Sequence, residues 1–459
     1  MKATRREFAS GLASLMGGVL LPHSGVSSTA PLIRIGVLSD PHVDYRIPND
    51  DELIKQLKWL DGLKVDAVVF PGDIANRGRI DELERFVAAW DSVFPKCKAV
   101  DGRSVERLVV TGNHDIDQWP ALWKGMSEEE LSKLRFNHAD NKEKVWKRIF
   151  GEEWSLIWKK EVKGISFVGA QWISLKPQVA RFFDEHAGDF DAGKPFFYIQ
   201  HPHPKGTCHG EFAKEGCAED SGIVTRVLSQ YPNAIALSGH SHITLTDPRT
   251  VWQGAFTSIG CGSCGRMQPT GFGSAKCHAN GGPTWEKKLN RTFTNDQEGR
   301  CGMMIEVYPD RLLIHRRSFF FDEPIGRDWS IPFPACARGR SAFPVCGNDH
   351  DAPQFPPGAR IEVSRMAEGL VLLKYPPAEG VGSSRVFDYE VVAKIGVGST
   401  IRRDMLAAGF HLPDSRRNRP ETCLFAHEEI PTSRQVEFRV TPRSAHGNVG
   451  RAISTCISC

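Results

Sequence analysis

The sequence predicts an α/β domain that is followed by a smaller, all-β sandwich. In the first half of the chain, apolar segments that suit buried strands alternate with segments of helical spacing. Beyond residue 358, short β-like runs are separated by turn residues, which is typical of small antiparallel sandwiches. A chain of 459 residues also has the length for two or three domains.

The composition excludes several classes of protein. Hydrophobic residues make up 40% and charged residues 25% of the chain, so it can bury a core and is not predominantly disordered. Mean hydropathy is -0.32, and the sequence does not have the long apolar segments of a polytopic membrane protein. The formal net charge is only +3, so we expect no specific binding of nucleic acid.

Residues 1–30 predict an export signal. Arg5 and Arg6 precede Phe8, and a weakly apolar run at 11–21 leads to small residues at 27–30. This order is typical of twin-arginine signals, whereas an amphipathic first helix would need a polar face that the run lacks. No cysteine lies near the end of the segment, so we expect no lipid anchor. The prediction is a bacterial periplasmic or extracellular protein without a transmembrane anchor in its mature chain.

Five predicted strands of the α/β domain end in Asp, Asn or His next to a glycine or proline. The carboxyl ends of strands are where ligands collect in open α/β sheets. A donor set of oxygens and imidazoles without thiolate suits manganese, iron or zinc, and two ions would share the carboxylate of Asp73. Such a centre would be about two charge units positive and would attract phosphate. The candidate ligands are Asp40, His42, Asp73, Asn113, His201, His240 and His242.

These strand ends resemble, in order, the five motifs of the calcineurin-like metallophosphoesterases. The resemblance implies a sandwich of two mixed sheets flanked by helices, and hydrolysis of phosphomonoesters or phosphodiesters by a metal-bridging hydroxide. It also implies two divalent or mixed-valence metal ions. The substrate would be a small-molecule or envelope-derived phosphate ester. The matching residues are Asp40-Pro41-His42, Gly72-Asp73, Gly112-Asn113-His114-Asp115, His201 and Gly239-His240-Ser241-His242.

The same resemblance implies a role for each matched residue. One metal would be held by Asp40, His42, Asp73 and His242, and the other by Asp73, Asn113, His201 and His240. Asn113 and His114 would bind the substrate phosphate, and His114 would protonate the leaving oxygen while Asp115 orients it. His203 remains an alternative to His201, because the proline spacing of this motif is irregular.

The rest of the chain predicts further units. The phosphoesterase-like domain would span 31–331 with a Cys/Gly-rich insertion near 261–301, and a linker would occupy 332–357. Residues 358–459 resemble a fibronectin type III domain in two sequence segments, 387–391 and 437–447. An alternative function is therefore a surface- or glycan-binding protein that uses this sandwich, with a secondary or inactive phosphoesterase head.

The twelve cysteines have two interpretations. Cys261, Cys264, Cys277 and Cys301 could hold a zinc ion. Disulfides are favoured, because an exported protein folds in or reaches an oxidising compartment. The local pairs that the spacing suggests are Cys208 with Cys217 and Cys336 with Cys346, and Cys456 and Cys459 could reach back to an earlier domain.

Overall fold

A computed structural model describes most of the chain. The predicted export signal, most of the insertion and most of the linker lie outside the described residues. The described residues are 30–47, 49–116, 119–172, 176–190, 193–208, 222–266, 296–332, 334, 352–380, 385–396, 398–432, 434–445 and 448–457.

The first part of the chain alternates strands and helices. Its strands are β1 (Ile33–Val37), β2 (Ala67–Pro71), β3 (Glu106–Val110), β4 (Ile157–Val162), β5 (Ile165–Ala170), β6 (Phe196–Ile199), β7 (Ala234–Ser238), β8 (Val251–Gln253), β9 (Thr257–Gly260), β10 (Cys301–Val307), β11 (Arg311–Ser318), β12 (Glu323–Pro324) and β13 (Trp329–Pro332). Its helices are α1 (Asp50–Gly62), α2 (Ile80–Asp91), α3 (Asn113–Ile116), α4 (Glu128–Leu134), α5 (Asn141–Phe150), α6 (Lys176–Glu185) and α7 (Ile223–Leu228). None of the helices in the described ranges has the length and hydropathy needed to cross a bilayer.

These strands form two mixed sheets. The first has the order β12–β11–β10–β1–β2–β3, with β13 also paired to β11, and its β1, β2 and β3 are parallel. The second has the order β4–β5–β6–β7–β9–β8, with a parallel centre and antiparallel edges at β4 and β8. This arrangement confirms the predicted fold class of two mixed sheets flanked by helices.

The core lies between the two sheets and beneath the helices. Apolar residues of both sheets, such as Val69 and Phe197, pack together in one buried cluster. Helix α2 covers the outer face of the first sheet with Leu83, Phe86 and Trp90, which recur on one helical face. Because β1, β2, β3, β6 and β7 are all held rigidly in these sheets, the loops that follow them start from fixed positions.

The C-terminal part is an antiparallel sandwich, which confirms the predicted second fold. Its sheets have the orders β14–β15–β18 and β17–β16–β19–β20, and Tyr375, Tyr389 and Phe438 lie buried between them. The strands are β14 (Glu362–Arg365), β15 (Val371–Tyr375), β16 (Val386–Ile395), β17 (Ser399–Leu406), β18 (Glu421–Phe425), β19 (Val436–Ser444) and β20 (Ile453–Ile457).

The sandwich makes direct contacts with the α/β domain. The Nε2 of His411 lies 2.9 Å from the carboxylate of Glu298. The guanidinium of Arg249, held by two carboxylate oxygens of Asp247, lies 4.3 Å from the ring centre of Phe387. The two parts are therefore joined by side-chain contacts as well as by the connecting chain.

Candidate metal centre

Several candidate ligands share an unusual backbone conformation. Asp40, His42, Asp73, His240 and His242 all have positive φ, between 47° and 68°. Residues other than glycine rarely adopt this left-handed conformation, and where it persists the surrounding structure must hold it. Each of these residues lies in the loop directly after β1, β2 or β7, so the sheets supply that support and turn the side chains toward a common point.

The structure brings four of the candidates into a first group. Ligand atoms of Asp40, His42, Asp73 and His242 all lie within 4.8 Å of one another. The Nε2 atoms of His42 and His242 are 3.0 Å apart, and the Nε2 of His242 is 3.0 Å from Oδ1 of Asp40. Metal bonds of about 2.1 Å at right angles separate neighbouring ligand atoms by about 3 Å. The spacing of these donors therefore suits a single metal ion.

A second group contains Asp73, His201 and His240. The Nε2 of His201 lies 3.1 Å from Oδ2 of Asp73 and 3.1 Å from Nδ1 of His240, and the ligand atoms again lie within 4.8 Å of one another. Asp73 belongs to both groups, since its Oδ2 is also 3.7 Å from Nε2 of His42. The geometry is that of two adjacent sites joined by one carboxylate.

The chemistry of these side chains fits divalent metal ions. Asp40 and Asp73 are 0% and 1% exposed, and among the described residues their ion-pair partners are histidines rather than lysine or arginine. A buried carboxylate needs a compensating charge. The 3.0 Å between the Nε2 atoms of His42 and His242 is also the separation expected for two ligands of one cation. The residues present can thus hold a metal pair.

The protonation states of the histidines differ across the centre. Burial lowers the pKa of His240 to about 3 and lowers the pKa of His42 well below its ordinary value, so both rings are neutral and available as ligands. Burial also opposes the charged form of His201, but the carboxylates of Asp73 and Asp40 outweigh it and raise its pKa to about 9. His201 is thus the ring that carries the compensating proton when no metal is bound.

The loop after β3 lies tightly against Asp73. The backbone N–H of His114 donates to Oδ1 of Asp73 over 2.9 Å. Gly112 allows this approach, because a Cβ at this position would stand 2.1 Å from the same oxygen. Asn113 lies between these two residues, at the first position of α3. The structure therefore places Asn113 next to the carboxylate that the two groups share.

The ring of His114 is held by a backbone carbonyl. Its Nδ1 donates to the carbonyl oxygen of Asn76 over 2.8 Å, and the indole N–H of Trp119 donates to the same oxygen over 2.8 Å. The ring centre is 4.5 Å from that of His42. A proton on Nδ1 leaves Nε2 of His114 as the nitrogen that can exchange a proton with a bound ligand.

Asp115 has a different position from the one that sequence analysis assigned to it. We expected it to orient His114, but the hydrogen bond to that ring comes from Asn76. The carboxylate of Asp115 instead accepts the backbone N–H groups of Ile74, Ala75 and Gly112. Burial and the nearby charge of Asp73 raise its pKa to about 8. Asp115 thereby ties the loop after β2 to the loop after β3.

His203, the alternative to His201, belongs to neither group of ligands. Its Nε2 lies 3.0 Å from the hydroxyl of Ser241, between the two histidines of the last motif. His203 therefore supports the loop that carries His240 and His242.

Sequence reasoning did not single out two aromatic residues that lie at the centre. The ring of Trp172 is 5.8 Å from that of His201 and 5.7 Å from that of His240. Trp172 follows the carboxyl end of β5. Because ligands collect at the carboxyl ends of strands in α/β sheets, its position in the sequence could have identified it. Trp119 lies at the centre through its indole N–H, which donates to the Asn76 carbonyl oxygen that also holds the His114 ring.

The cysteines that the structure describes do not form disulfides. Cys97, Cys208, Cys261, Cys264, Cys301, Cys423 and Cys456 are free thiols, which corrects the disulfides expected at Cys208 and Cys456. Cys208 is buried, and its thiol donates instead to the carbonyl oxygens of Thr250 and Ser258. In the described ranges no cysteine joins a metal-type group. The remaining predicted partners, Cys217, Cys277, Cys336, Cys346 and Cys459, lie outside the described residues.

Comparisons with known proteins find a family model and several solved structures that are similar to the first part of the chain. The family model for calcineurin-like phosphoesterases matches residues 33–244. Among solved structures, a dimetal phosphatase from Danio rerio is 13% identical, with 66% of this chain and 100% of that chain covered and a TM-score of 0.36. A purple acid phosphatase from yellow lupin seeds is also 13% identical, with 65% and 53% covered and a TM-score of 0.42. No curated protein sequence matches the chain significantly. The similarity to the calcineurin-like phosphoesterases is thus a match of residues 33–244 to the family model.

Proposed function

We propose that the protein is an exported, metal-dependent phosphoesterase that hydrolyses phosphomonoesters or phosphodiesters of small molecules. The observation that carries this proposal is the pair of buried ligand groups joined by Asp73. A dinuclear centre of this kind suits in-line hydrolysis of phosphate esters. The match of residues 33–244 to the phosphoesterase family supports the same reaction.

The two ions would occupy the two ligand groups, with Asn113 completing the second. When bound, they would act as Lewis acids toward the phosphate and lower the pKa of a water that serves as the nucleophile. Manganese, iron and zinc all suit this oxygen and imidazole donor set. Asp73 would hold both ions, which explains why it is fixed by the His114 amide on one oxygen and faces His42 and His201 with the other.

Asn113 and His114 would act on the substrate itself. Asn113 lies at the start of α3, next to the His114 amide that contacts Asp73, and from there its amide would bind a phosphate oxygen as well as a metal. His114 keeps its Nδ1 proton on the Asn76 carbonyl, so Nε2 is the atom that would protonate the leaving oxygen. Burial lowers the pKa of His114, which makes its protonated form a stronger acid. Asp115 would keep the two loops in register through its three amide contacts.

Two further parts of the chain belong to this proposal. Residues 1–30, with Arg5, Arg6 and Phe8, support export through a twin-arginine route to the periplasm or the exterior. The three-stranded and four-stranded antiparallel sheets of the C-terminal part support a fibronectin type III-like domain. Replacing both arginines by lysine and fractionating the cells would test export, since retention of the variant in the cytoplasm is the expected result.

Metal reconstitution tests the reaction. The purified protein is stripped with a chelator, reloaded with manganese, iron or zinc, and assayed on nitrophenyl phosphate and bis-nitrophenyl phosphate. We expect activity to disappear on stripping and to return with at least one metal. Asp73→Asn should bind fewer than two ions per chain and remain inactive with every metal. Absence of turnover by the reloaded wild-type protein on both esters would refute the proposal.

One observation supports the alternative of a glycan-binding protein. The sandwich contains a cavity of about 230 Å³ that is lined by polar residues, among them Arg417, Asn418 and Glu421. Its lining also includes apolar residues such as Val386 and Phe410, and a few placed polar groups in such a cavity can orient a small ligand such as a sugar. Binding of envelope glycans by the full chain, abolished by Asn418→Ala and unaffected by Asp73→Asn, would favour this function.

A further inference from the structure

A second cavity opens beside the metal centre. Its volume is about 240 Å³, near the lower end of small-molecule pockets, which begin at roughly 300 Å³. It lies next to His42 and is lined on one side by the loop after β1 and the start of α1, including Asn49 and Gln56, and on the other by Gly265 and Arg266. A molecule bound in this cavity would therefore lie next to an ion held by the first ligand group, to which His42 belongs.

The loop that carries Arg266 is fixed to the metal centre through the backbone. The amide of Cys264 donates to the carbonyl oxygen of Ser39 over 2.8 Å, and the amide of Gly265 donates to that of Asp40 over 3.2 Å. The hydroxyl of Ser263 donates to the same Asp40 carbonyl over 3.1 Å, and it accepts the amide of Arg266 over 3.1 Å. The backbone of Arg266 is therefore fixed relative to Asp40, a candidate metal ligand, while the side chain of Arg266 is exposed.

Among the residues that the structure describes, the charges around the cavity leave Arg266 without a counterion. The carboxylate of Glu52 pairs with Arg300 at 3.5 Å, and that of Asp44 pairs with Arg77 at 3.7 Å. None of the carboxylates in the described ranges pairs with Arg266. Arg266 and His42 line the same cavity, so the guanidinium lies on the side of the cavity that adjoins the centre. Within the described part of the chain, the wall of the cavity thus presents a positive charge that no carboxylate pairs.

Two residues that line the cavity, Gln56 and Asn76, carry buried amide oxygens. Gln56 is 2% exposed, and its Nε2 donates to the carbonyl oxygen of Cys264 over 3.0 Å, which fixes the orientation of the amide. No donor in the described residues reaches the buried Oε1 of Gln56, and the same is true of Oδ1 of Asn76. Buried acceptors of this kind are costly when they lack a donor. Hydroxyl groups of a bound molecule would supply the missing donors.

We propose that this cavity binds the leaving group of the substrate and that Arg266 binds an anionic substituent on it. The inference rests on the proposed function, because it takes the metal centre as the position of the scissile phosphate. The substrate class is then a phosphate ester of a hydroxylated acid, with hydroxyls directed at Gln56 and Asn76 and a carboxylate or second phosphate at Arg266. Arg266 is a specificity-determining residue in this arrangement and does not contact the reacting atoms.

Matched pairs of substrates test the proposal on the metal-loaded full chain. One pair is 6-phosphogluconate and sorbitol 6-phosphate, which differ in a single terminal carboxylate, and a shorter pair is 3-phosphoglycerate and glycerol 3-phosphate. Phosphate release gives kcat/KM for each. We expect the acid of at least one pair to be preferred by about tenfold or more, the effect of one charge-assisted contact. In Arg266→Gln this preference should fall below about twofold, with the neutral member of the pair little changed.

The control variant is Arg360→Gln, which removes an exposed arginine of the sandwich that does not line this cavity. It should retain the wild-type preference. Equal kcat/KM for both members of both pairs, or a preference that survives in Arg266→Gln, would overturn the inference. These outcomes differ from failure of the proposed function, in which even nitrophenyl esters would not be hydrolysed by the metal-loaded wild-type protein.

Discussion

The Nδ1 of His201 donates to the carbonyl oxygen of Pro71 over 2.7 Å. Pro71 is the last residue of β2, and His201 follows β6, so this bond joins the two sheets at the edge where the candidate ligands lie. It also places the Nδ1 proton, which leaves Nε2 facing Asp73 at 3.1 Å. A hydrogen bond from the far ring nitrogen is the usual way in which a metal-binding histidine is oriented.

This arrangement predicts different roles for His201 and His203. His201→Ala should reduce the bound metal from two ions per chain toward one and lower kcat/KM by at least about 100-fold, since it removes a ligand of the second group. His203→Ala should keep both ions, because the His203 ring contacts Ser241 and belongs to neither ligand group. Metal analysis of the dialysed proteins, combined with assays, checks both. The assignment is wrong if His203→Ala is the variant that loses an ion.

His114 should affect the chemical step without affecting metal content. His114→Ala removes the proposed proton donor and is expected to lower kcat by about 10²- to 10⁴-fold. The two bound ions should remain, because the amide that contacts Asp73 belongs to the backbone. Trp119→Phe is the companion variant: it removes the second donor to the Asn76 carbonyl and should cause a smaller loss. Full activity of His114→Ala on esters with poor leaving groups would contradict this role.

The strands and the order of the ligands could be predicted because both are local features of the sequence. The buried strands are continuous apolar runs, and each ligand follows its strand within a few residues. Strand β17 is harder to predict, because Ser399–Leu406 contains charged residues and lies at a sheet edge, where burial does not impose an apolar pattern.

The wall formed by the 263–266 loop could not be predicted from the sequence at all. Its contact with Asp40 joins residues 223 positions apart, and the position of Arg266 depends on that contact. Asp115 shows the same limit at short range. Its motif position was evident, but its partners Ile74 and Ala75 lie on another loop, and only the folded arrangement identifies them.

Gly239 should be required for a reason that is purely steric. A Cβ at this position would stand 2.1 Å from Oγ of Ser39 and 2.3 Å from Oδ2 of Asp40. Gly239→Ala should therefore displace Asp40, weaken metal binding and destabilise the fold by about 1–3 kcal/mol. Gly62→Ala is the matched control, because a Cβ there meets nothing within 4 Å and an alanine at the end of α1 suits the helix. Equal metal affinity of the two variants would show that Asp40 tolerates the displacement.

Glu82 gives the protein a pH-dependent contribution to stability. Its side chain is 0% exposed, and its carboxylate accepts the backbone N–H groups of Tyr45, Arg77 and Arg79, which links the loops after β1 and β2. Burial outweighs these three hydrogen bonds and raises the pKa of Glu82 from 4.5 to about 7. The folded protein therefore binds this proton more tightly than the unfolded chain does.

The sign of the pH effect follows from that difference. The contribution of Glu82 is complete below pH 4.5, where both states are protonated, and it is lost as the pH rises through about 7. Glu82→Gln cannot titrate, so the free energy of unfolding of the wild-type protein relative to this variant should fall between pH 5 and 8, by up to about 3 kcal/mol. Urea unfolding of both proteins at matched metal loading measures the difference. Parallel stability curves across this range would mean that Glu82 is already ionised in the folded protein at pH 5, and that its three amide contacts outweigh the cost of burial.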